Sequence, residues 1–182
     1  MRKNILITSA GRRVSLVRAF QNELKKRFPD AKVFTADANP SLSSACYVSD
    51  SSFTLPRVAD KKYMDSLFAL CVEKNIRLVV PTIDTELAVL AENIQRFLIA
   101  GIILAVSDVE FIERCRDKRK TNLLFAEFGI EFPKPIDKFN PIFPVFIKPY
   151  DGSLSKGIML IRDFDSWNTA LLENEKLMFM EY

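Results

Sequence analysis

The run Pro144 to Ile158, PVFIKPYDGSLSKGI, joins an apolar strand ending in a lysine to a loop of small hydroxyl and glycine residues. That order of residue types suits the holding of nucleotide phosphates. Val145, Phe146 and Ile147 predict a short buried strand that delivers the Lys148 ammonium to a fixed point, after which Pro149 blocks further sheet pairing. Gly152 and Gly157 permit backbone angles closed to other residues. Ser153, Ser155 and the loop N–H groups, next to the Lys156 cation, can donate hydrogen bonds to phosphate oxygens. Taken alone, the run also reads as a surface hairpin turn.

Three further constellations could act with it. Lys118, at a helix start after Asp117, would add a second ammonium to offset phosphate charge that backbone N–H groups alone cannot neutralise; by itself it also reads as a solvated helix lysine. The closing LMFMEY is an apolar strand ending in Glu181 and Tyr182, which either presents backbone groups to an adenine edge or is a plain core strand. In VVPTIDTEL, Asp84 and Glu86 either touch a substrate or serve the helix, with Asp84 or Thr85 as its cap and Glu86 favouring its positive end.

The turn Thr8-Ser9-Ala10-Gly11-Arg12-Arg13 falls where an open α/β sheet offers a helix N-terminus to anions, so Gly11, Arg12 and Arg13 are candidates for a small anionic or amino-acid substrate. Asp37, closing the second strand, stands where a dinucleotide fold puts its ribose-binding acid. Only one glycine of the G-x-G-x-x-G fingerprint is present, which argues against NAD, and no Walker A motif occurs.

These residues need a scaffold, and the chain alternates strand and helix as a parallel α/β sheet does. The predicted elements of the first hundred residues are strands at Asn4–Thr8, Lys32–Ala36, Leu78–Val80 and Ile102–Val106. Between them lie helices at Val14–Arg27, from Asp60 as cap to Lys74, and from Thr85 to Phe97. A short helix starts at Ser107 or Asp108. Beyond Cys115 the pattern becomes a helix Asp117–Phe128, a stretch 130–144 with four prolines, paired strands Phe143–Ile147 and Ile158–Ile161, a helix Asp163–Glu173 and a last strand Lys176–Glu181. Residues 1–110 and 111–182 are therefore expected as two domains.

Composition bounds the chemistry. With 182 residues, 48% of them hydrophobic, sizeable cores can form, and a net charge of +3 spread along the chain does not mark a nucleic-acid surface. The absence of histidine removes Ser-His-Asp and Cys-His catalysis and imidazole-bound metals. Any metal would be magnesium held by carboxylates, amides and phosphates. Three scattered cysteines suggest neither disulfides nor zinc, no apolar run is long enough for a membrane span, and a cytoplasmic protein is expected.

Taken in order, these segments resemble the ATP-grasp superfamily, in particular members like the large chain of carbamoyl phosphate synthase and biotin carboxylase. TADANPSLSSACYVSD and PTIDTEL are similar to its Rossmann-like pre-ATP-grasp domain. CRDKRKTNLLFAEFGIEFPKP is similar to its Asp-Lys helix, FPVFIKPYDGSLSKGI to its strand lysine and phosphate-covering loop, and MFMEY to its hinge strand.

The resemblance implies a Rossmann-like domain followed by the first α+β subdomain of an ATP-grasp fold, stopping before its second half. It implies ATP bound by Lys118, Lys148, Ser153, Ser155, Lys156, Gly157, Glu181 and Tyr182, with Lys148 catalytic. A small carboxylate or bicarbonate would lie near Gly11, Arg12, Arg13, Asp84 and Glu86. The carboxylate would become an acyl phosphate and be attacked by an amine or ammonia. The family's Mg2+ ligands fall in the half that should follow Tyr182, so this stretch is expected to lack turnover by itself. A homodimer is implied as well. A non-catalytic nucleotide-binding module, or half of a split enzyme, is the rival expectation. Leu154 stands where the family often has a further glycine.

Overall fold

The computed structural model describes residues 3–152 and 155–182, and the chain divides into two units, Met1–Val109 and Glu110–Tyr182. The first is built on five parallel strands in the order β3-β2-β1-β4-β5: β1 Asn4–Thr8, β2 Val33–Asp37, β3 Ser51–Thr54, β4 Ile76–Val80 and β5 Ile103–Leu104. The central strands read as nearly continuous apolar runs because both of their faces are covered. Alternate residues then serve opposite cores. Leu6 and Val79 join Leu67, Leu90 and Phe97 on one face, while Ile5 and Ile7 join Val17 and Ala45 on the other.

The helices that cover these faces are α1 Val14–Arg27, α2 Ser44–Val48, α3 Tyr63–Glu73, α4 Asp84–Ala91 and α5 Ile94–Ile99. The chain leaves β1 for β2 and β3 on one side and crosses to β4 on the other. This opens a crevice at the carboxyl ends of β1 and β4, the switch point where open α/β sheets bind ligands.

Several elements depart from the sequence-based expectation. Strand β3 and the short α2 were not expected: β3 is a polar edge strand with only Phe53 half-buried, ring-packed edge-on against Phe34. The helix expected from Thr85 to Phe97 breaks at Asn93, whose side-chain amide donates to the Val89 carbonyl of the preceding turn. Helix α3 starts at Tyr63, and Asp60 acts one turn earlier, accepting from the Lys62 N–H. Strand β5 is two residues long.

In the second unit, α6 Val109–Arg116 starts at the boundary and α7 Lys118–Glu127 follows after Asp117. A three-stranded antiparallel sheet in the order β7-β6-β8 comprises β6 Val145–Pro149, β7 Met159–Ile161 and β8 Leu177–Glu181. One face of β6, Val145 and Ile147, packs with Phe179 and half-buried Trp167 into a core. The expected helix Asp163–Glu173 is a series of bends ending in a single 3-10 turn, Thr169–Glu173, because Asp163 and Asn168 accept local backbone N–H groups.

Candidate functional site

Strand β6 carries Lys148 one residue beyond the buried Ile147, on the opposite face of the sheet. The strand runs further than expected. Pairing with β7 stops at Ile147 opposite Met159, whereas pairing with β8 continues through Lys148 opposite Met178 to Pro149 opposite Leu177. Proline ends the ladder only on the side where its missing N–H would have been required.

Two lysines converge at this strand end. Burial first, and then the like charge of Lys118, holds the Lys148 pKa below the ordinary lysine value. Lys118 is placed by the start of α7, where Asp117 accepts from the Arg119 N–H and forms a two-pronged ion pair with the Arg119 guanidinium. Arg119 in turn lies 3.6 Å over the Tyr150 ring. The Lys118 ammonium donates to the carbonyls of Gly152 at 2.6 Å and Tyr150 at 3.3 Å, and its backbone N–H donates to Tyr150 as well. Helix α7 and the entrance of the loop after β6 are thus locked together by one cation.

The loop glycines act partly by size. A Cβ at Gly152 would stand 3.1 Å from the Pro149 Cβ, and one at Gly157 would stand 3.0 Å from its Cγ. Gly157 also has φ +72°, and Ser155 takes a left-handed conformation at +56°. Ser155 and Lys156 are exposed, and Ser153 and Leu154 lie outside the described residues. At the end of β8, the Glu181 N–H donates to the Lys134 carbonyl while its carboxylate accepts from the Lys134 N–H. Tyr182, exposed, is stacked on Phe146, 6.5 Å between centroids.

In the first unit a cavity of about 940 Å³ opens at the switch point. Gly11, Arg13 and Glu86 line it together with Asp37, whereas Arg12 and Asp84 do not. Glu86 is fully buried and receives three hydroxyls: Ser9 at 2.6 Å and Tyr63 at 2.7 Å on one oxygen, Thr8 at 2.8 Å on the other. The alternative in which Asp84 or Thr85 caps α4 is not what forms. Ile83 occupies the cap position without a side-chain bond, and Asp84 is exposed in the first turn.

Ser9 has φ +47°, held by its bond to Glu86 and by the Thr82 hydroxyl, which donates to the carbonyls of Ser9 and Thr8. The Gly11 N–H is taken by the Asp37 carboxylate at 3.0 Å, whose other oxygen accepts from the Asn39 N–H. Asp37 therefore braces the turn that a dinucleotide fold would leave open to pyrophosphate.

Sequence reasoning did not single out Tyr63; a phenol at the start of an otherwise apolar helix face was the available hint. Its pKa is driven far up, by burial first and then by the Glu86 charge and hydrogen bond. Replacing Tyr63 with phenylalanine should destabilise the first unit by about 1–3 kcal/mol, the cost of depriving a buried carboxylate of one donor. Urea unfolding followed by circular dichroism reads this directly, and an unchanged midpoint would show that the hydroxyl contributes nothing.

With that geometry in view, comparison with known proteins gives a consistent picture. Residues 5–105 match the model of the PylC-like N-terminal domain. No curated protein matches at a significant level. Among solved structures, the chain is similar to an L-amino acid ligase from Bacillus licheniformis, with a TM-score of 0.67 and 17% identity over 98% of this chain and 44% of that one. It is likewise similar to the biotin carboxylase domain of the Hydrogenobacter thermophilus 2-oxoglutarate carboxylase, described in complex with MgADP, ADP and bicarbonate. There the TM-score is 0.65 with 16% identity over 99% and 44% of the two chains.

Campylobacter jejuni biotin carboxylase gives 0.63 and 15% over 98% and 44%. These are ATP-grasp enzymes with a pre-ATP-grasp domain, and the fold is the one the sequence led us to expect. The chain spans about 44% of the length of each of these structures.

Proposed function

The chain belongs to the PylC-like N-terminal domain family, matched over residues 5–105, and from that membership we propose that it is the N-terminal part of an ATP-dependent carbon–nitrogen ligase. The observation that carries this reading is the convergence of Lys118 and Lys148 at the end of β6, where two ammonium groups share one neighbourhood. Like charges held together in a half-buried place favour a polyanion, and a nucleotide's phosphates supply one.

In this reading Lys118 and Lys148 contact the phosphates, and Lys148 offsets charge on the phosphoryl group in transfer. Ser155, Lys156 and Gly157 close over the phosphates, while Glu181 and Tyr182 border the adenine and ribose. A carboxylate oxygen attacks the γ-phosphorus of ATP and ADP leaves; an amine or ammonia then attacks the acyl carbon of the acyl phosphate and releases phosphate. The carboxylate lies at the switch point beside Gly11 and Arg13, on a turn that Glu86 braces. Among the described residues no three His, Cys, Asp or Glu side chains cluster to hold a metal ion.

The test is titration of the labelled chain with ATP, followed by amide resonances. Saturable shifts at Lys118, Lys148 and Tyr150 are expected, with affinity about tenfold weaker in Lys118→Met. No shift at those amides up to about 10 mM ATP, weaker than any functional nucleotide site, would overturn the reading. Binding without ADP formation by a chain that also carries the second ATP-grasp half, in the presence of candidate carboxylates and amines, would favour the non-catalytic module.

A further inference from the structure

A lysine on a flexible four-carbon stem does not stay beside a second lysine unaided, since like charges repel and the side chain has many rotamers to escape into. Lys118 is kept beside Lys148 by two carbonyl oxygens, those of Gly152 and Tyr150. Of the three N–H donors of the ammonium, that leaves one for a phosphate oxygen. The place of Lys118 is therefore set by whatever fixes the Tyr150 main chain.

Tyr150 is tied on three sides. Its N–H donates to the Lys176 carbonyl at 2.9 Å, just before β8, and its carbonyl accepts the Lys118 backbone N–H at 3.0 Å. Its half-buried ring lies under the Arg119 guanidinium, 3.6 Å from the centroid. Arg119 is not free to swing away, because its Nε donates to one Asp117 oxygen at 3.0 Å and its Nη2 to the other at 2.7 Å. Asp117 is itself anchored in the first turn of α7, where it accepts the Arg119 N–H at 2.9 Å. A planar cation aligned by a two-pronged ion pair and laid on a ring is a device that only arginine supplies. We propose that Arg119 and Tyr150 are positioning residues of the nucleotide site: Arg119, stacked on the Tyr150 ring, holds the residue after β6 against α7, so that its carbonyl keeps the Lys118 ammonium beside Lys148. The inference rests on the nucleotide-binding reading and adds to it two residues that touch no phosphate.

The test removes the stack from either side. Arg119→Leu and Tyr150→Leu should each weaken ATP binding about three- to fivefold, the worth of a partly exposed cation–ring contact. The double variant should be little weaker than either single one. Tyr150→Phe, which keeps the ring, should restore the parent affinity, and Lys120→Leu, which removes an exposed charge from the same helix, should leave it unchanged. In the ligand-free chain with isotope-labelled lysine side chains, the Lys148 titration should move up toward its ordinary value in both leucine variants, because Lys118 no longer stands beside it. It should stay in place in Tyr150→Phe and Lys120→Leu. A mere loss of stability would not move that titration. Arg119 is exposed, so Arg119→Leu should keep the parent's fold even if Tyr150→Leu does not.

A Lys148 titration equal in Arg119→Leu and the parent would overturn the assignment. So would a further loss of ATP affinity on removing Arg119 from Tyr150→Leu, which would put Arg119 on the phosphate itself. An equal loss in Lys120→Leu would overturn it as well, by reducing the effect to net charge. The two claims fail separately. ATP binding by the parent with an unmoved Lys148 titration would remove this inference and leave the ligase reading, whereas a parent that binds no ATP but shows the shifted titration in the variants would do the reverse.

Discussion

Replacing Lys148 with methionine should weaken ATP binding roughly ten- to hundredfold, the loss of one charge-assisted hydrogen bond of about 1.5–3 kcal/mol. The same substitution should make the ligand-free second unit more stable. The reason is that Lys148 is held below its ordinary pKa by burial and by Lys118, so its charge is carried at a cost when no phosphate is present.

The pH dependence gives the sign. In the unfolded chain Lys148 returns to its ordinary value of 10.5, and in the folded chain it lies lower. Between the two values the unfolded state binds more protons, so stability rises with pH across that window. Below the folded value the penalty is present in full, and above the unfolded value it is gone. Lys148→Met should abolish this slope. Nucleotide affinity should run the other way, falling as pH rises through the folded value, because the neutral amine no longer attracts phosphate. Urea unfolding across alkaline pH tests the first and calorimetric titration with ATP the second, each on parent and variant. An affinity in Lys148→Met equal to that of the parent would remove Lys148 from the nucleotide site.

The second large effect concerns the scaffold. Phe97, fully buried, closes the core beneath α3 and α5 and meets Phe68 edge-to-face, 5.1 Å between centroids at 87°. Phe97→Ala should cost about 3–5 kcal/mol, transfer and cavity together, a large share of the 5–15 kcal/mol that holds a typical domain. The single tryptophan, Trp167, lies in the second unit, so two optical probes can be separated. Circular dichroism should show an early urea transition in the variant, while Trp167 fluorescence keeps its midpoint. If both move together, the units unfold as one.

How much of this was readable in the sequence depends on how local the determining interactions are. Strands β1, β2 and β4 were legible because burial on both faces demands runs such as Ile5-Leu6-Ile7, and α1 because Leu16, Val17, Phe20 and Leu24 repeat at helical spacing. Strand β3 was illegible, since an edge strand of Ser-Ser-Phe-Thr carries too little apolar pattern to announce itself. In the candidate site, Lys148 and Lys118 stood out because a strand end and a helix start fix them locally. The packing of Gly152 and Gly157 against Pro149 was out of reach, for it depends on how the loop folds back on its own strand. So was the hydroxyl cage around Glu86.

That cage has a kinetic side. Its donors come from 78, 77 and 23 residues away along the chain, so Glu86 cannot exchange water for protein until β1, α3 and α4 have all docked. Contacts of such sequence separation repay their loop-closure entropy late. Substitutions at Tyr63 and Thr8 should accordingly accelerate unfolding while leaving the refolding rate nearly unchanged. The cavity of the first unit would then be among the last parts of the molecule to take shape.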